Sequence, residues 1–274
     1  AREADVVLYI GGLNKSAGQD NEGTDRADIV LPYGQDALIE ALAEVSAKLV
    51  VVNISGSPVA MPWAERVNAI VQGWYGGSES GHALVDVLTG VVNPSGKLPF
   101  TMPLALSDGP LKTDRQYPGV KEEGKQWWQE YYDEGVFVGY RWYDTRRIPV
   151  QYPFGHGLSY TRFKYSDASV KKAADGWKVQ LTLTNTGSVA GAEVVQLYIS
   201  DREASVERPA KELKGFQKVY LQPSESRKLS FTIGREDLSF FDAARHAWVA
   251  EPGAFEALVG SSSADIRARL EFKL

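Results

Sequence analysis

In the first third of the chain, short apolar runs alternate with stretches whose apolar residues recur every three or four positions. A parallel sheet covered by helices reads this way. Val6, Val7, Leu8, Tyr9 and Ile10 predict a strand that Gly11 and Gly12 stop. From Gln35 to Ala47, Leu38, Leu42 and Val45 fall on one face with Ile39 beside them, which predicts a helix. Leu49 to Ile54 predicts a second strand and Val67 to Val71 a third, while Ala83, Leu84, Val87 and Leu88 mark a second helix ended by Gly90. With a short helical turn around Pro62 to Arg66, the order β-α-β-β-α describes an α/β layer.

Between Gly12 and Leu31 no period is visible, and Gly, Asn, Asp and Ser dominate. Loops of that length inside a compact domain are uncommon and usually functional or disordered. This one leaves the carboxyl end of a parallel strand, the edge at which open α/β sheets place their ligands, so a functional loop is expected. From about Lys178 the period becomes two: Val179, Leu181 and Leu183 alternate with polar neighbours before an Asn185-Thr186-Gly187 turn. Further alternating runs at Glu193 to Ser200, Arg227 to Ile233, Phe255 to Val259 and Ile266 to Leu274 predict an antiparallel β-sandwich. Residues 107–157 have no clear period but carry Trp127, Trp128, Tyr131, Tyr132, Phe137, Tyr140, Trp142 and Tyr143. Such a segment is too aromatic for a free linker and is expected to pack across both domains.

Composition narrows the class. With 43% hydrophobic and 24% charged residues the chain sits near the globular average, which excludes disorder and collagen. A net charge of −5 and no basic stripe argue against a nucleic-acid partner. The absence of cysteine removes disulfides, cysteine zinc sites and thiol catalysis. Apolar runs such as Leu49 to Val52 are far short of the about 20 residues a membrane helix needs, so no membrane partner is expected. The chain opens on Ala1, Arg2 and Glu3 without an initiator Met or a signal peptide, which suggests a processed or partial chain. Periplasmic, secreted and cytoplasmic locations all stay open.

The long loop holds Asp20, Glu22, Asp25 and Arg26 within seven residues. A carboxylic acid whose pKa is raised in a pocket can protonate a leaving oxygen, and Gly18 and Gly23 would let the backbone aim such a side chain. Acids in polar loops are mostly solvated charges, so the pattern alone does not choose among them. Other motifs fail. Asn14 stands where a phosphate loop needs Gly, and Gly76-Gly77-Ser78-Glu79-Ser80 misses the nucleophile elbow at its last position. His82, His156 and His246 have no partners at metal-ligand spacing and are read as structural or surface residues, so no metal is expected. Aromatics of residues 127–143 suit a sugar face, but packing is the commoner role.

Several stretches together resemble glycoside hydrolase family 3, in particular its bacterial β-glucosidases. Glu22-Gly23-Thr24-Asp25-Arg26, with Leu31-Pro32 and Gln35 after it, is similar to the family's acid/base loop. Asn93-Pro94-Ser95-Gly96-Lys97-Leu98-Pro99 is similar to the end of its α/β sandwich domain. Tyr132 to Asp144 and Pro153 to Thr161 resemble the passage into the last domain. Asn185-Thr186-Gly187, Glu193 to Tyr198 and Lys211 to Phe216 resemble the fibronectin type III-like domain that follows.

The resemblance implies α/β plus all-β architecture: an incomplete three-layer α/β/α sandwich followed by a fibronectin type III-like, immunoglobulin-like β-sandwich. The domains would be the C-terminal part of the α/β sandwich domain at residues 1–106, an aromatic connecting segment at 107–157 and the fibronectin type III-like domain at 158–274. It implies a retaining, exo-acting β-glucosidase that releases terminal β-D-glucosyl residues, with Glu22 as the general acid/base and no cofactor. Asp25 and Arg26 would shape the loop, and Asp20 is the nearest rival for the acid role. A β-xylosidase or other exo-glycosidase of the same family, and a non-catalytic carbohydrate-binding or assembly protein, are the alternatives. The substrate would be a β-linked glucoside or oligosaccharide, with no substrate-binding residue assigned. Family members carry the nucleophile on an N-terminal (β/α) barrel that lies outside these residues. The chain alone is therefore expected to be inactive, the C-terminal piece of a nicked, split or rearranged enzyme docked to a barrel-bearing segment or chain.

Overall fold

The computed structural model describes residues 1–274, which divide into two compact units. The first comprises Ala1–Val91, Thr101–Gly109 and Pro149–Tyr152; the second comprises Val92–Phe100, Pro110–Ile148 and Pro153–Leu274.

In the first unit, β1 (Val7–Gly12), β2 (Leu49–Ile54) and β3 (Ala69–Gln72) form a parallel sheet in that order. Between β1 and β2 runs α1 (Gln35–Val45), which packs on both strands and buries Ile39 completely. The β2 boundaries match the apolar run, whereas β1 continues through Gly11 and Gly12, where a stop was expected. Those two residues pair with Asn53 and Ile54, so the glycines serve close strand approach rather than termination. A 3-10 turn at Ala64–Arg66 precedes β3, and α2 (Ser80–Leu88) follows it. The central strand β2 is covered on both faces, with Leu49, Val51 and Val52 at 0–1% exposure. By contrast, Leu8 and Ile10 on one face of β1, and Val6 just before it, are exposed, and β1 has no neighbour on its outer edge. A short antiparallel pair, β4 (Met102–Pro103) with β5 (Val150–Tyr152), completes this unit.

The second unit contains α3 (Tyr140–Arg146) and a β-sandwich. One sheet is built from β6 (Phe163–Ala173), β7 (Gly176–Asn185) and β10 (Ser226–Ile233), in the order β10-β7-β6. The other joins β8 (Gly191–Asp201), β9 (Glu212–Leu221), β13 (Ala254–Gly260) and β14 (Ile266–Lys273) in the order β14-β13-β8-β9. A hairpin, β11 (Phe240–Asp242) with β12 (Ala247–Val249), lies between them in sequence. The predicted alternation is what fills the core: Val179, Leu181 and Leu183 meet Val195, Leu197, Val219, Phe255 and Val259. Asn185, fully buried, explains the turn signal. Its amide accepts from the Thr161 hydroxyl (2.6 Å) and Gly187 N–H (3.1 Å) and donates to Val189 and Leu221 carbonyls (2.8 and 3.1 Å).

The aromatic segment is mixed. Tyr140 stacks on Phe154 (4.7 Å) and meets Tyr198 edge-on (5.9 Å), and Phe137 and Tyr143 are buried. Trp127, Trp128 and Tyr132 lie exposed instead, because they belong to a turn-rich stretch held by the isolated Val120–Gln129 bridge.

Candidate active site

The loop of residues 13–34 leaves the sheet at the carboxyl end of β1, and its base is set by two close contacts. Gly12 has φ 136°, and a Cβ there would lie 2.1 Å from the Ile54 carbonyl oxygen, so no other residue fits without moving β2. The Gln35 carboxamide then clasps both loop ends. Its Nε2 donates to the Gly12 and Pro32 carbonyls (2.8 and 3.0 Å), and its Oε1 accepts from Gly12 N–H (2.7 Å) and the Tyr9 hydroxyl (2.8 Å). Leu13, Gln19 and Leu31 are buried, which gives the loop a small interior of its own.

Two short-range clamps shape the tip. The Asn21 side-chain oxygen accepts from Gly23 N–H, Thr24 N–H and the Thr24 hydroxyl (2.9, 3.0 and 3.1 Å), an Asx turn that encloses Glu22. Gly18 N–H donates to the Thr24 hydroxyl (2.7 Å), tying the outgoing limb to the returning one. Glu22 itself is exposed, and its carboxylate takes part in none of these bonds. Asp25 is also exposed.

Asp20 has a different environment. It accepts from Gly56 N–H (2.6 Å), the Tyr75 hydroxyl (2.8 Å) and the Ser57 hydroxyl. Burial pushes its pKa up, but the bonds from Ser57, Gly56 and Tyr75, with the nearby Arg26 charge, outweigh that and hold the carboxyl below its ordinary range. It is an ionised acceptor, unsuited to donating a proton. Tyr75, in turn, is pushed up to about 12, first by burial and then by its bond to Asp20, so it stays a neutral donor. Arg26 donates from Nη1 to the Ser57 hydroxyl (3.0 Å) and the Pro58 carbonyl (2.7 Å), and Ala60 N–H donates to the Ile29 carbonyl (2.7 Å). Asp20 and Arg26 thus reach the same short segment after β2. Gly56, Ser57 and Tyr75 carry no local signal that sequence reasoning could have used, since they lie 36, 37 and 55 positions from Asp20.

The other candidates fall outside this loop. His82 is exposed and pairs with Glu79 (2.7 Å), and His246 sits at a surface turn against Phe241. His156 is in the second unit, where burial, with Lys97 assisting, lowers its pKa. No group of three or more His, Asp or Glu side chains is placed to hold a metal ion, and no helix is long and apolar enough to cross a membrane. In the second unit, a cleft beside α3 is lined by Trp142, Phe137, Lys112 and Glu207. The Arg146 guanidinium lies over Phe137 and Trp142 (5.0 and 5.5 Å), so cations rather than open ring faces greet a ligand there.

Comparison with known proteins matches this architecture over the whole chain. Residues 1–160 match the glycosyl hydrolase family 3 C-terminal domain, and residues 193–263 match the fibronectin type III-like domain. The β-glucosidase BoGH3A of Bacteroides ovatus is 47% identical over 281 residues, covering 100% of this chain and 36% of that protein. Thermostable β-glucosidase B of Acetivibrio thermocellus is 44% identical, covering 97% of this chain and 34% of its own length. Among solved structures, a β-glucosidase from Bifidobacterium adolescentis aligns with a TM-score of 0.92 at 40% identity, over 100% of this chain and 39% of that one. DesR, a β-glucosidase from Streptomyces venezuelae in complex with D-glucose, aligns with a TM-score of 0.91 at 36% identity, over 100% and 34%. The chain spans about a third of the length of these relatives. Its α/β unit, its β-sandwich and their order along the sequence all agree: the chain belongs to glycosyl hydrolase family 3, of which it carries the C-terminal domain and a fibronectin type III-like domain.

Proposed function

We propose that this chain is the C-terminal portion of a retaining, exo-acting β-glucosidase that removes terminal non-reducing β-D-glucosyl residues, with Glu22 as its general acid/base. The observation that carries the reading is the placement of Glu22: an exposed, unbonded carboxyl inside a clamped turn, beyond the carboxyl end of a parallel strand. Asp20, the rival acid, is already occupied as an ionised acceptor. In the first step Glu22 gives its proton to the glycosidic oxygen while the bond from that oxygen to the anomeric carbon breaks; the aglycone leaves as an alcohol and the anomeric carbon bonds to a carboxylate nucleophile. In the second it takes a proton from the water that displaces that carboxylate and releases glucose. Two carboxyl groups about 5 to 5.5 Å apart serve this chemistry, and they need no metal.

The nucleophile is assigned to an N-terminal, barrel-bearing segment or partner chain of the same enzyme. Two facts support that assignment: the chain spans 36% of the length of a 47%-identical relative, and β1 offers an unpaired edge beside exposed Leu8 and Ile10. On this reading the isolated chain is inactive.

The test is Glu22→Ala in the full-length protein that contains this chain. For glucosides with poor leaving groups kcat/KM is expected to fall about 10²- to 10⁴-fold, the usual worth of a positioned acid. Dinitrophenyl β-glucoside, whose leaving group needs no proton, should keep most of its kcat/KM. Added azide, a nucleophile that needs no base, should raise turnover and give glucosyl azide. Equal losses for all leaving groups would remove the acid role from Glu22.

A further inference from the structure

We infer that Asp20 is a positioning residue for Glu22, pinning the acid-bearing turn to the ends of β2 and β3; the inference rests on the reading of Glu22 as the acid/base. A proton donor has to stand within about 2.6–3.2 Å of its acceptor, and a displacement of about 1 Å can cost about 10²-fold in rate. The bonds made by Asn21, Thr24 and Gly18 shape the tip but join the loop only to itself. Gln35 fixes its base, far along the chain from residue 22. Side-chain anchorage of the tip to the scaffold falls to Asp20 and Arg26, on either side of Glu22, with the Ala60–Ile29 backbone bond farther along the returning limb. Asp20 takes Gly56 N–H and the Ser57 hydroxyl from the turn after β2, and the Tyr75 hydroxyl from the stretch after β3. Arg26 reaches the same turn through the Ser57 hydroxyl and the Pro58 carbonyl. Ser57 therefore links the two limbs, receiving a bond from Arg26 and donating one to Asp20.

The chemistry of the position calls for a carboxylate. Three groups donate to the Asp20 oxygens, so an ionised acid satisfies all of them at once, and bonds to a charged acceptor are about twice as strong as neutral ones. An amide at residue 20 would remove the charge that strengthens all three bonds, and its N–H₂ group would force the Ser57 hydroxyl to reverse from donor to acceptor.

The experiment measures kcat/KM of the full-length protein for dinitrophenyl β-glucoside and for a β-glucoside with an alkyl or sugar leaving group. Asp20→Asn is expected to lower the second value about 10- to 100-fold and the first less than about 3-fold, the split that a misplaced acid produces and general unfolding does not. Tyr75→Phe, which removes one of three donors, should shift the ratio in the same direction by a smaller factor. Ser57→Ala, which leaves the Gly56 bond to Asp20 in place, serves where Asp20→Asn fails to fold. Unchanged ratios in Asp20→Asn, or in Ser57→Ala where that variant stands in, would overturn the inference, as would equal losses on both substrates. Glu22→Ala runs alongside. If it lacks the leaving-group split, the reading of Glu22 fails; if it has the split and the Asp20 and Ser57 variants lack it, only the positioning role fails.

Discussion

The two units bury their apolar residues in opposite ways. In the sandwich, side chains from two sheets close on each other, and Leu183, Val195, Leu221, Ile233 and Val259 are all at 0% exposure. In the parallel sheet of the α/β unit only β2 is enclosed; Leu8 and Ile10 on β1 are 51% and 58% exposed, and α2 buries no residue. A pair of sheets is a complete solution to burying apolar faces, whereas a three-stranded parallel sheet with one packed helix is not. The unit that bears the candidate acid is thus the one whose apolar surface is left over, and its loop is held by polar bonds around a small interior of Leu13 and Leu31.

That contrast can be broken most sharply in the sandwich. Leu183→Ala is expected to cost about 2–5 kcal/mol, the range for deleting a fully buried leucine, and hydrogen exchange of the β7 amides would read it locally. A cost below about 1 kcal/mol would mean that the sandwich is not a self-sufficient core.

Acid should weaken the same unit through His156. Burial, reinforced by Lys97 and opposed by Asp265, lowers its pKa from 6.5 in the folded chain. Between the folded value and 6.5 the unfolded chain holds more protons, so stability rises with pH up to about 6.5 and is lost below it. Urea unfolding at about pH 5.5 and about pH 7.5 should show this slope, and His156→Gln should flatten it.

The smallest expected effect lies on the uncovered face. Ile10→Ser should change the stability of this chain by less than about 0.5 kcal/mol, as for other exposed positions. In the full-length protein the same change is expected to destabilise measurably by differential scanning calorimetry. Equal tolerance in both settings would show that nothing docks on that face.

Much of the fold was legible because burial imposes periods on the chain. The run Leu49 to Ile54 coincides with β2, and the alternation from Val179 to Leu183 lies within β7. Strand β6 was not legible: a bulge between Ser166 and Ser169, with Asp167 at φ 55°, shifts its alternation midway. Strand β9 was hidden for another reason. It is an edge strand that exposes Phe216 and Tyr220 beside Lys218, so its pattern does not separate apolar from polar. Several stretches that resembled the family prove to be structural locks. Asn93 donates to the Ala190 carbonyl (2.9 Å) and accepts from Tyr160 N–H (2.8 Å), and Lys97 pairs with Glu193 (2.9 Å) in nearly buried surroundings. Such motifs identify a fold, while the loop around residue 22 is where the chemistry is proposed.

The β-α-β-β-α order of the first unit, the class of both units and the presence of a long acidic loop at a strand end were determined by the sequence itself, because each follows from residues close together in the chain. Which acid is bound and which is free was decided only in three dimensions. Asp20 and Glu22 are near-equivalent as letters, two positions apart in a polar loop. What separates them is a set of donors brought from beyond β2 and β3, at Gly56, Ser57 and Tyr75, and no local pattern encodes a bond across that distance.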